Sequence, residues 1–191
     1  MTRKFACFLS HGLFIGQPVD ELAAFLNKMT PAGIHFNVVG GFDPQPLQAQ
    51  ITQQVVAAAQ SGAEIIFGGH SKGAMLAFCL ADHLKSVGIR APLFISLDST
   101  DWGSNAPGTV PWALLIGQPN AGKWFVPNNV DRWLHFWQSA PPGGGQAERA
   151  PGNTTTNFST KQLNVDHLGV PTAAEQLILD AVLEVVGQAT S

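Results

Sequence analysis

The sequence predicts an α/β fold, a mostly parallel central sheet flanked by helices on both faces. Two observations point there. Short apolar runs rich in β-branched and aromatic residues alternate with longer runs whose apolar residues recur at helical spacing, and that alternation builds parallel strands joined by helical crossovers. Between one run of each kind stands Gly68-Gly69-His70-Ser71-Lys72-Gly73. It follows Ala63-Glu64-Ile65-Ile66-Phe67 and opens Ala74-Met75-Leu76-Ala77-Phe78-Cys79-Leu80-Ala81, so it reads as a tight strand-to-helix turn.

Taken in order, residues 4–9 form the first predicted strand. The start, Arg3-Lys4 before Phe5-Ala6-Cys7-Phe8-Leu9, has the flavour of a signal peptide. Its apolar run is too short, breaks at Ser10-His11-Gly12, and has no convincing cleavage site. A glycine-bounded apolar loop follows to Gly16. Pro18, with Asp20 and Glu21 in the first turn, starts a helix that carries Leu22, Phe25, Leu26 and Met29. Residues 34–39 are a second strand closed by Gly40-Gly41, and the turn Asp43-Pro44-Gln45-Pro46 leads into a helix over 47–60. The third strand, the turn at Ser71 and a helix to about Val87 come next. Residues 92–97 form a fourth strand that stops at Asp98-Ser99-Thr100-Asp101, and a further strand covers 132–137. The last helix has a capping-box pattern, Thr172-Ala173-Ala174-Glu175, and an apolar face of Leu177, Ile178, Ala181, Val182, Val185 and Val186. Residues 102–129 and 141–157 lack a clean period. Irregular stretches of that length are functional loops or elements without a periodic signal, and both follow strand ends, where ligands of open α/β sheets bind. No repeat or domain boundary is visible, so residues 1–191 are read as one domain.

Composition narrows the function classes. With 45% apolar and 12% charged residues among 191, the chain has enough material for a core. Its net charge of −3, without a basic run, argues against a nucleic-acid partner. No run reaches the ~20 apolar residues a membrane span needs, and a cytoplasmic location is expected. Cys7 and Cys79 lie inside apolar runs and read as buried free thiols. The six histidines show no metal-ligand spacing, Gly122-Lys123 lacks the spacing of a phosphate loop, and no cofactor site is offered; no metal and no cofactor are expected. Asn153-Thr154-Thr155 and Asn157-Phe158-Ser159 fit the glycosylation rule, which matters only in a secreted eukaryotic chain.

The chemistry concentrates at Ser71. Gly69 and Gly73 flank it two residues on either side, where a side chain would jam strand against helix. The turn lifts the hydroxyl clear and sets the Lys72 N–H at a helix N-terminus, where developing negative charge is favoured. This G-x-S-x-G turn between strand and helix resembles the nucleophile elbow of the α/β-hydrolases, and the resemblance runs from about Lys4 to the last helix. It implies a lipase- or esterase-like serine hydrolase with acid and base following in that order. The chain is reduced relative to a full-length member, near cutinase size, and lacks an evident helical cap. His83 lies within the helix after the elbow, leaving His135 and His167. His135 alternates inside an aromatic strand and reads as a structural or pocket residue. His167, in a loop before the last helix, holds the position the resemblance assigns to the base. For the acid, many members use the end of the next strand; a subset resembling pancreatic-type lipases uses a Leu-Asp at the end of the strand after the elbow, which Leu97-Asp98 matches. Asp101 is the alternative. Asp131 precedes its strand, and Asp166 adjoins His167 too closely. His11-Gly12-Leu13 resembles the His-Gly segment that supplies an oxyanion donor, implying the Leu13 N–H beside that of Lys72. His70 packs or hydrogen-bonds at the elbow.

The expectation is therefore a carboxylic-ester hydrolase acting through Ser71, His167 and Asp98 on a small ester or lipid-like substrate. Phe14, Trp102 and Trp112 are candidates for an acyl-binding wall, and residues 110–116 for either a small flap or core packing. Two other readings use the same residues: a thioesterase or acyltransferase with this triad, and a catalytically silent binding protein of the same fold.

Overall fold

In a computed structural model, residues 3–12, 17–39, 46–99, 124–139 and 147–187 are described. The elements are β1 (Lys4–Ser10), α1 (Gln17–Met29), β2 (Phe36–Val39), α2 (Pro46–Gln60), β3 (Ala63–His70), α3 (Lys72–Ser86), β4 (Ala91–Leu97), β5 (Trp124–Val126), β6 (Val130–Trp137), β7 (Ala147–Arg149), β8 (Asn157–Gln162) and α4 (Val170–Gly187). Six strands form one sheet in the order β2-β1-β3-β4-β6-β8, and all five of its pairings are parallel. β5 and β7 form a separate parallel pair.

A parallel sheet covered on both faces needs strands that are apolar on both faces, and these are. Within β3, Ile65 and Phe67 face the layer of α2 and α3, while Ile66 faces that of α1 and α4. The α1 and α4 layer packs Leu22, Leu26, Ile178 and Val182 against Leu9, Leu93 and Ile95. The other packs Val55, Phe78 and Leu80 against Phe67, Phe94 and Trp133. Phe78 stacks between Trp124 and Trp133, with ring centroids 5.3 and 4.5 Å away, so the β5–β7 pair is anchored on α3. From β1 the chain crosses to β2 on one side, then returns to β3 on the other. The crevice between the ends of β1 and β3 is thus a topological switch point.

Several boundaries differ from the sequence expectation. The irregular stretch after residue 140 contains β7 and leads into β8. β8 is at an edge of the sheet and mostly exposed along Asn-Phe-Ser-Thr-Lys-Gln, so no apolar alternation marks it. β2 begins at Phe36 rather than residue 34. The last helix starts at Val170, before the capping box. The Gly169 N–H is taken up by Asp166 Oδ1 at 2.7 Å, and the Ala173 N–H donates to the Gly169 carbonyl at 2.9 Å. Thr172 therefore lies inside the helix, and Pro171 occupies its first turn, where no N–H is needed. Asn153 is buried, donating to the Val126 carbonyl and Thr156 Oγ1 and accepting the Thr156 N–H. It braces the chain between β7 and β8 and presents no open glycosylation site. Cys7 is buried, Cys79 half-buried, and both are free thiols. Among the described residues no helix is long and apolar enough to cross a membrane.

Candidate active site

β3 delivers Ser71 at its C-terminal end, and the backbone there is strained. Ser71 has φ 59° and ψ −119°. Among the described residues only Ser71 and Asp98, with φ 45°, are non-glycine residues at positive φ. Such conformations cost about 1–3 kcal/mol each and persist only where the surroundings enforce them. Here the close packing of strand end, turn and helix does so. A methyl group at Gly69 would lie 2.2 Å from the Gly73 carbonyl oxygen, and one at Gly73 would lie 2.2 Å from that of Ser10. The Ser71 N–H donates to the Leu97 carbonyl at 2.9 Å, tying the turn to the end of β4. Serine is a preferred helix cap, yet Ser71 makes no side-chain capping bond to α3. Its hydroxyl is not spent on its own helix.

The loop leaving β1 comes against the nucleophile candidate. A methyl group at Gly12 would sit 2.7 Å from Ser71 Cβ and 3.0 Å from its Oγ, so only glycine lets this backbone pass so closely. His11, beside it, is buried; its Nε2 is 3.5 Å from Asp20 Oδ1 on α1. Lys72 opens α3 and is buried, which lowers the pKa of its ammonium group.

Asp98 stands one residue beyond β4 and is fully buried. Its N–H donates to the Phe136 carbonyl at 2.7 Å, fixing its backbone against β6. Its carboxylate receives Nδ1 of His167 on Oδ2 at 2.6 Å. Gln138 adds two more donors: its side-chain Nε2 to Oδ2 at 2.9 Å and its backbone N–H to Oδ1 at 3.2 Å. His167 arrives on the loop between β8 and α4 with its side chain 12% exposed. Its carbonyl oxygen is 2.8 Å from Nε2 of His70, and the two imidazoles lie 4.4 Å apart, centroid to centroid, at 33°. Burial, reinforced by the electrostatic effect of the neighbouring His167, pushes the pKa of His70 down to about 4.

The sheet thus brings Ser71, Gly12, Asp98, His70 and His167 to one end. Asp166 turns away to cap Gly169. Asp131 is near the start of β6, paired with Arg90 at the opposite end of the sheet. His135 is buried in β6, its Nδ1 2.7 Å from Ser96 Oγ, which also accepts the Trp133 Nε1–H at 2.9 Å. That network belongs to the core. Leu13, Phe14, Asp101, Trp102, Trp112 and the run 110–116 lie outside the described residues. The sequence reading missed Gln138. Its signal is purely one of register: Leu97 pairs with Phe136, which sets the residues just beyond the two strands side by side. No cluster of potential metal ligands occurs among the described residues.

No protein-family model matches the chain, and no curated protein matches it. Solved structures do. The NocB thioesterase domain, captured as a covalent complex with a fluorophosphonate nocardicin G analogue, is 13% identical with a TM-score of 0.56 over 97% of this chain and 96% of its own. A structure from the metagenome-derived lipolytic enzymes LipS and LipT is 15% identical with a TM-score of 0.53 over 98% and 95%. A protein from Xanthomonas campestris described as a hydrolase of the alpha/beta superfamily is 15% identical with a TM-score of 0.51 over 98% and 99%. The chain has the α/β-hydrolase fold.

Proposed function

We propose that this protein is a serine hydrolase of carboxylic esters. Ser71 Oγ attacks the ester carbonyl and passes its proton to Nε2 of His167. Asp98 holds the imidazole through Nδ1 and stabilises the imidazolium that forms. The N–H groups of Lys72 and Leu13 receive the oxyanion. The alcohol leaves with the proton from His167, and water then releases the acyl group by the same route in reverse. Phe14, Trp102 and Trp112 contribute the acyl-binding wall. The observation that carries this reading is the 2.6 Å contact between His167 Nδ1 and Asp98 Oδ2, groups 69 residues apart in sequence. It commits Nδ1 to the acid and leaves Nε2 for the serine proton. The strained turn at Ser71 and its closeness to Gly12 support it.

The test is covalent labelling by a fluorophosphonate probe together with hydrolysis of p-nitrophenyl esters of rising chain length. Native protein is expected to label and to turn over at least one ester, and Ser71→Ala to do neither. A native protein that neither labels nor hydrolyses is a silent binding protein of this fold, and the enzyme reading ends there. The similarity to the NocB thioesterase domain favours a second reading, hydrolysis of thioesters by the same three residues. Matched oxygen and thiol esters of one acyl group separate the two by their kcat/KM ratio.

A further inference from the structure

We propose that His70 is a positioning residue for the base, an uncharged imidazole that clamps the backbone and ring of His167 and couples its placement to that of Ser71. The inference rests on the hydrolase reading of the same site. A carbonyl oxygen only accepts, so the 2.8 Å contact between His70 Nε2 and the His167 carbonyl requires the hydrogen on Nε2. A neutral His70 then carries an unprotonated Nδ1. Its ring centroid also lies 4.4 Å from that of His167, the two planes tilted by 33°.

The loop carrying His167 needs such a hold. It leaves β8 where the Leu163 N–H donates to the Trp137 carbonyl at 2.8 Å, and it turns back on itself at Gly169 through Asp166. Between those points His167 is gripped at its side chain by Asp98 and at its main chain by His70. One grip alone leaves the imidazole a hinge to swing about; two, with a ring against its face, fix the direction of Nε2. His70 immediately precedes Ser71 and ends the strand that presents it. Any shift of the turn therefore moves the clamp on the base as well.

The clamp works only uncharged. His167 must become an imidazolium during turnover, and a proton on His70 would set a second cation against its ring. Among the described residues, the titratable groups that act on His70 are His167, Asp98 and His11. Burial and the two histidines lower its pKa, while the bond to the His167 carbonyl and the Asp98 carboxylate raise it; burial dominates.

Two substitutions separate the donor from the ring. His70→Phe keeps an aromatic ring against His167 and deletes the donor; His70→Gln restores an N–H near the Nε2 position. The readouts are kcat and KM for the preferred ester and the fluorophosphonate inactivation rate between about pH 5 and 9. His70→Phe is expected to lower kcat and the inactivation rate about tenfold, the size of one lost hydrogen bond, with KM within about twofold. His70→Gln is expected to recover most of the loss. A folded His70→Phe protein with native rates overturns the proposal, as does a His70→Gln protein no better than His70→Phe. Should the variants not fold, 15N NMR of the native histidines decides. A hydrogen on Nε2 and a bare Nδ1 at neutral pH are expected, and the reverse tautomer overturns the clamp. Native protein inert to the probe but showing this tautomer counts against the hydrolase reading alone.

Discussion

At the scale of single residues, the candidate acid is held from several sides. Among the described residues, Asp98 accepts hydrogen bonds from His167 and, twice, from Gln138. The side-chain bond from Gln138 shares Oδ2 with His167, so it fixes which oxygen meets the imidazole and at what angle. Gln138→Leu removes that bond and keeps the backbone one. A hydrogen bond to a charged group is worth about 1.5–3 kcal/mol, so kcat/KM is expected to fall about tenfold or more in steady-state ester hydrolysis, with the protein still labelled by fluorophosphonate at a reduced rate. Native kcat/KM in that variant would show that the glutamine only fills space. The turn that carries Ser71 and the loop that carries His167 were legible in the sequence because their neighbours carry the signal: glycines two residues away for one, an apolar helix just downstream for the other. Gln138 was not, since nothing in Trp137-Gln138-Ser139 distinguishes it from any residue ending a strand.

At the scale of elements, the site depends on how closely β1, β3 and α3 approach. Gly73 is the contact point: a methyl group there would lie 2.2 Å from the Ser10 oxygen and 2.6 Å from the His11 oxygen, both backbone atoms that cannot rotate aside. Gly73→Ala is expected to cost about 3 kcal/mol of stability in urea unfolding and to displace the loop after β1, with loss of fluorophosphonate labelling in whatever protein folds. Unchanged stability would mean the helix can slide on the sheet. The long buried elements were legible because apolar periodicity is a local property. β5, β7 and β8 were not. The first two are three residues each, and the third is a polar edge strand whose partner β6 lies more than twenty residues upstream. The start of α4 was misplaced for a related reason. A capping box was present at Thr172, but Asp166 and Pro171 set the helix start earlier.

At the scale of the whole molecule, burying His70 ties stability to pH. Its pKa falls from the ordinary 6.5 to about 4 on folding. As pH drops below 6.5 the unfolded chain takes up this proton and the folded chain does not, so unfolding becomes easier. The loss is complete once pH passes below about 4, where both states carry the proton. A shift of this size corresponds to a contribution on the order of 3 kcal/mol, present above pH 6.5 and lost towards pH 4. Urea unfolding of the native protein should therefore lose stability across that window by more than His70→Phe does. Parallel curves for the two proteins would show that His70 titrates normally. The same global arrangement explains where the site is. The crossover from β1 runs one way and that from β3 the other, so the strand ends bearing Gly12 and Ser71 border one crevice.

The sequence alone determined the layered α/β architecture and the position of the turn at Ser71. Both are written in local patterns: the period of apolar residues, and the glycines a sharp turn demands. It also offered His167 and an aspartate near residue 98 as candidate partners of Ser71. Only the tertiary structure decided that His167 Nδ1 meets Asp98, that Gln138 supports that carboxylate, and that His70 meets the His167 backbone. Those contacts join residues 40 to 97 positions apart. They exist because parallel strands register side by side at one end of a sheet, and the pairing of distant strands leaves no periodic mark on the residues it brings together.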